Sequence, residues 1–100
     1  MLKIRVDNQP DATTLYVEGK LVGDCVGELK RVWTNLRSES PTKPTIVELS
    51  SVRVVDVSGR KLLSQMHDWG SQLTGSGLVI SSLINEIKGA RNQPAKSPSG

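Results

Sequence analysis

Hydrophobic residues at the start of the chain fall on alternate positions: Leu2, Ile4 and Val6 are separated by Lys3, Arg5 and Asp7. A period of two marks a strand with one buried face. The turn-forming run Asn8-Gln9-Pro10-Asp11 interrupts it. Alternation resumes with Leu15, Val17 and Leu21 against Tyr16, Glu18 and Lys20, with Gly19 on the buried side. The two segments are predicted to pair as neighbouring antiparallel strands. At Asp24, a residue type suited to an N-cap, the period changes. Val22, Val26, Leu29, Val32, Trp33 and Leu36 form one apolar stripe at helical spacing. Arg37 suits the negative end of that helix, and Pro41 and Pro44 bar its continuation.

The second half repeats the alternation of element types. Thr45-Ile46-Val47-Glu48-Leu49 is β-branched and mostly apolar, as a central strand requires, and a valine-rich connection follows with Val52, Val54, Val55 and Val57. Ser58 is placed to cap a second helix whose apolar face is Leu62, Leu63, Met66, Trp69 and Leu73. Gly75 and Gly77 are expected to end it, Leu78-Val79-Ile80 to form a short buried strand, and Leu83, Ile84 and Ile87 to mark a short last helix. The order β-β-α-β-α-β-α predicts an α/β fold: a mixed sheet of about four to five strands packed against amphipathic helices.

Composition narrows this picture. Leu, Ile and Val supply 27 of the 100 residues, against no Phe, two Trp and one Tyr, so the core is aliphatic and of single-domain size. The net charge of +3 is local. After Glu86 come Lys88, Arg91 and Lys96 with no acid, and the remaining ten basic and ten acidic side chains balance. Residues 1–88 are therefore read as the domain and 89–100, rich in Pro, Ser, Ala and Gly, as a disordered basic tail. Three tail cations give little attraction to a phosphate backbone, and no nucleic-acid partner is expected. The lone Cys25 allows neither an internal disulfide nor a multi-cysteine zinc site. With no apolar run near membrane-spanning length, no stable membrane insertion is expected, and the protein is read as cytoplasmic.

Enzymatic constellations are absent. There is no P-loop motif, and Gly75-Ser76-Gly77 is read as a helix end and turn that precedes a strand, the wrong order for a phosphate loop. A triad of Ser58, His67 and Asp56 fails on geometry. Nine residues of helix put His67 on the opposite side and ~13 Å along the axis, whereas proton transfer needs ~3 Å. His67 is expected on a helix surface, and Cys25 as a small core residue beside Val26 and Leu29. No catalytic residue, metal ligand or cofactor is assigned.

What remains is Asp56-Val57-Ser58-Gly59, between an apolar strand and an amphipathic helix. The stretch from Ile46-Val47-Glu48-Leu49-Ser50 through Val52–Val55 and Asp56-Val57-Ser58-Gly59 to Leu62-Leu63 resembles the STAS domain family, whose founding members are anti-sigma factor antagonists. Gly19-Lys20-Leu21 and Gly77-Leu78-Val79-Ile80 extend the resemblance over about residues 13–87. Val57, Arg60 and Glu48 depart from the family's usual residues. The resemblance implies a single STAS-like domain that is not an enzyme. It implies a protein partner, an anti-sigma factor and serine kinase of the histidine-kinase-like ATPase type. It makes Ser58 the phosphoacceptor by position, surrounded by the docking residues Asp56, Val57, Gly59 and Arg60. Phosphorylation would end the interaction; the nucleotide would belong to the partner. The residues themselves leave a second reading open, in which Ser58 only caps its helix and Asp56 only turns the chain. The domain would then be a scaffold or accessory subunit of a signalling or membrane-transport complex.

Overall fold

The computed structural model describes residues 2–92. Its elements run β1 (Leu2–Asn8), β2 (Thr13–Leu21), α1 (Asp24–Glu39), β3 (Thr45–Val55), α2 (Val57–Asp68), β4 (Gln72–Thr74) and α3 (Leu78–Asn92). The predicted element order holds. The four strands form one mixed sheet in the order β1-β2-β3-β4, antiparallel between β1 and β2 and parallel across the other two pairs. Leu15, Val17 and Leu21 of β2 share one core with Val47, Leu49 and Val52 of β3. The three helices join that core through Leu29 and Trp33, Leu62, Leu63 and Met66, and Ile80, Ile84 and Ile87. Tyr16 and Glu18, alternating with the core residues, point to the other face beside Lys3, Arg5 and Glu48.

β3 is longer than its periodicity suggested. Opposite β2 it carries an extra residue twice, between the pairs Tyr16–Glu48 and Glu18–Ser51 and again between Gly19–Val52 and Lys20–Val54. Each irregularity shifts the pleat by one residue. Burial therefore falls on Thr45, Val47 and Leu49, then on Val52, with Val55 half-buried. The expected valine-rich connection is the second half of this strand.

The region after α2 corrects the sequence reading most. The helix ends at Asp68, with Trp69 as its C-cap, not near Gly75. Gly70 adopts φ +95°, and two overlapping backbone bonds close the end: Gly70 N–H to the His67 carbonyl (3.0 Å) and Ser71 N–H to the Met66 carbonyl (3.0 Å). That left-handed C-cap favours glycine. It turns Trp69 outward, 62% exposed, where the apolar stripe had placed it in the core. Leu73, also assigned to that stripe, is buried in β4 and pairs with Val47. Leu78-Val79-Ile80 is no strand but the first turn of α3, with Leu78 and Val79 exposed and Ile80 buried in line with Ile84 and Ile87. The last helix is thus long, reaching Asn92 and passing the expected boundary at residue 88. The rest of the expected tail, 93–100, lies outside the described residues.

Two smaller readings change. Gly75-Ser76-Gly77 follows β4 and leads into α3, so the objection from element order does not hold. The loop is nevertheless packed inward: Ser76 N–H donates to Ser50 Oγ (2.9 Å), and a Cβ on Gly75 would stand 2.6 Å from Ile80 Cγ2. Gly23, at φ +54°, occupies the N-cap position of α1, and Asp24 is the first helical residue, with no capping bond from its side chain. Trp33, as predicted, is buried, and its indole Nε1–H donates to Ser71 Oγ at 2.9 Å.

Candidate functional site

The candidate site lies where β3 passes into α2. Asp56 is extended and ends the strand; the helix begins at the next residue. The carboxylate of Asp56, not the hydroxyl of Ser58, caps α2. Its Oδ1 accepts from Gly59 N–H at 2.8 Å, satisfying one of the helix's unpaired amides. The same oxygen accepts from Ser58 Oγ at 2.9 Å, and Oδ2 accepts from Gly23 N–H at 2.9 Å. One carboxylate thus joins the ends of β2 and β3 to the starts of α1 and α2. The Asp56 N–H adds a bond to the Leu21 carbonyl at 3.2 Å.

These donors hold the Asp56 carboxyl below the usual carboxylate range, the Gly23 and Gly59 amides first and the Ser58 hydroxyl after them. An acid so favoured in its ionised form is a weak proton acceptor. Its role toward Ser58 is to aim the hydroxyl.

Gly59 is required by space. A Cβ there would stand 2.5 Å from the Leu21 carbonyl oxygen and 3.0 Å from Val55 Cγ1. The close approach brings the first turn of α2 against the end of β2 and leaves Ser58 and Val57 facing outward, Val57 with 71% of its surface exposed. Arg60 reaches across to α3 and pairs with Glu86 at 2.6 Å. The structure therefore brings together Asp56, Ser58 and Gly59 by hydrogen bonding and puts Val57 and Arg60 on the same first turn.

His67 lies in the last turn of α2, half-buried, at the far end of the helix from Ser58. Cys25 is half-buried in the first turn of α1. Among the described residues no group of three or more His, Cys, Asp or Glu is arranged to hold a metal ion, and no helix is long and apolar enough to cross a membrane. The sequence reading missed Gly23 as a donor to Asp56. The available signal was a glycine immediately before a predicted helix start, but the partner is 33 residues away in the chain.

No family model matches the chain, and no curated protein matches its sequence significantly. Solved structures do match its fold. An anti-sigma factor antagonist from Mycobacterium paratuberculosis superposes with a TM-score of 0.77 at 16% identity, over 94% of this chain and 84% of that one. A DUF3478-family protein with a SpoIIAA-like fold from Shewanella loihica PV-4 superposes with a TM-score of 0.58 at 10% identity, over 90% and 79% of the two chains. The fold is that of a small α/β domain, with one mixed sheet and its helices laid over a shared core. More narrowly, it is STAS-like, the fold of anti-sigma factor antagonists.

Proposed function

We propose that this domain is a cytoplasmic, non-enzymatic regulator that binds an anti-sigma factor of the histidine-kinase-like ATPase type, and that phosphorylation of Ser58 ends the interaction. The observation that carries the reading is the Ser58 hydroxyl, exposed on the first turn of α2 and aimed by Asp56 Oδ1 at 2.9 Å. Asp56 already caps the helix, so Ser58 is not needed for that task and its hydroxyl is available for modification.

In the proposed step, Ser58 Oγ attacks the γ-phosphorus of the partner's ATP. The new O–P bond forms as the bond to the β-phosphate bridging oxygen breaks. ADP leaves, and the hydroxyl proton passes to solvent or to the partner's base. The product carries about −1.5 to −2 charges at neutral pH. Phosphorylation also removes the hydroxyl donor from Asp56 and sets a second anion beside it. The start of α2 offsets part of that repulsion, so the domain stays folded while its surface gains negative charge.

The test is phosphoprotein analysis of the native protein, paired with incubation of the purified domain with the cognate kinase and ATP. A single phosphate on Ser58, lost in Ser58→Ala, supports the reading. Undiminished labelling of Ser58→Ala removes Ser58 as acceptor. Partner binding by Ser58→Asp equal to that of the unmodified domain favours a scaffold role.

A further inference from the structure

Ser58 lies at one end of an open groove of about 720 Å³ that runs between α1 and α2 to Asp68. Val57, largely exposed, gives it an accessible apolar side chain, beside the almost wholly buried Val26 and Leu62 that reach its lining. Its charged side chains are unbalanced: Lys30 from α1 and Arg60 and Lys61 from α2 stand against the single acid Asp68. Lys30 and Lys61 are both exposed. Glu86 of α3 engages Arg60 from outside the groove, so the positive excess rests chiefly on the two lysines.

From this we infer that the groove receives an acidic amphipathic segment of the partner protein, seated with apolar side chains against Val57 and carboxylates toward Lys30 and Lys61. The inference rests on the proposed function for the identity of the switch and adds the chemistry of what it controls. Apolar floors with charged rims are how amphipathic helices are received by grooves, and complementary charge sets both selectivity and the rate of encounter. A phosphate on Ser58 brings about −1.5 to −2 charges to the end of a groove whose lining carries three cations and one acid. The excess that attracts the acidic segment is cancelled, and release follows from loss of complementarity without any rearrangement of the fold. Ser58 and Lys61 both line the groove and stand three residues apart on α2, a spacing that makes them neighbours on the helix surface, so the phosphate competes for a cation the segment uses.

The experiment uses the full chain and a synthetic amphipathic helical peptide of about four turns, with Leu on one face and Glu on the other, and a control in which Lys replaces Glu. Backbone amide shifts are expected to change along residues 26–30 and 57–68, and the Lys peptide is expected to bind at least tenfold more weakly. The pair Lys30→Glu with Lys61→Glu, both exposed and therefore compatible with folding, should lose at least tenfold for the acidic peptide and gain for the Lys peptide. Ser58→Asp should weaken the acidic peptide, and added salt should weaken it further. Equal binding of both peptides, shifts outside the groove, or binding unaffected by the double charge reversal overturns the inference. So does tight binding to phosphatidylserine vesicles that the same reversal abolishes, which would make the surface a lipid site. None of these outcomes bears on whether Ser58 accepts phosphate, so failure here and failure of the kinase assay are separate results.

Discussion

The two ends of α2 solve the same problem with different materials. At the start, a side chain does the work: Asp56 accepts from the helix's own Gly59 amide and from Gly23, far away in the chain. At the finish, the backbone does it alone, through Gly70 at φ +95° and the bonds from Gly70 and Ser71 back to His67 and Met66. The first end fixes a side chain in place and leaves a hydroxyl presented on it. The second fixes only the path of the chain and sends Trp69 to the surface, stacked on Arg37 at 4.2 Å, while Trp33 below is held by Ser71. An end closed by a carboxylate answers to charge and pH; an end closed by backbone bonds responds to neither. That is why the proposed switch belongs at the first.

Substitutions break this comparison at different strengths. Trp33→Ala should cost the most, ~3–5 kcal/mol by denaturant unfolding, because it empties a fully packed site beneath the far end of α2. Gly59→Ala comes next at ~1–3 kcal/mol, since its Cβ would press on the Leu21 carbonyl and something must shift. It should also move the first turn of α2, seen as amide shifts at Gly23 and Ser58. A stability loss without those shifts would detach Gly59 from the site's geometry.

Asp56→Asn tests the electrostatic end. The folded-state pKa lies below the unfolded one, so the carboxylate's stabilisation is fully present above the ordinary carboxylate range. It is lost as pH falls toward the depressed folded value. The melting temperature of the wild-type domain should exceed that of Asp56→Asn by a few degrees at neutral pH, with the gap closing in acid. A gap that stays constant with pH would show that the bonds, not the charge, matter. Trp69→Ala should cost least, under ~1 kcal/mol, because only the contact with Arg37 is lost from an exposed ring. A larger loss would mean that the far end of α2 leans on Trp69.

The same contrast explains what could be read in advance. β2 and α1 were legible because each holds one period over nine or more residues; β1 was legible as a strand, although Val6, expected on its buried face, is exposed. The place of the Asp56–Gly59 junction was legible, between an apolar strand and an amphipathic helix, but its cap was not: Ser58 was expected to cap α2, and Asp56 does. The far end was not legible. Trp69 and Leu73 extend the α2 stripe at helical spacing, and nothing in their types announces that Gly70 stops the helix between them. A strand of three residues, Gln72–Thr74, is too short to display alternation. Leu78-Val79-Ile80 has the composition of a strand, and only Ile80, four residues before Ile84, hints at a helix. In β3 the period was broken by two local irregularities set by pairing with β2. The groove cations Lys30 and Lys61 carried no signal, since each is an ordinary surface residue until α1 and α2 are side by side.

The bridge from Asp56 to Gly23 and Gly59 also limits what its motif can tell a reader of genomes. A chain in which the serine is never modified would still need the carboxylate to join two strand ends and would still need the glycine to clear Leu21. Aspartate and glycine around the serine are therefore markers of architecture, and a scan for them will count retired switches along with working ones. The informative letter is the serine between them, the one member of the trio on which neither the cap nor the packing depends.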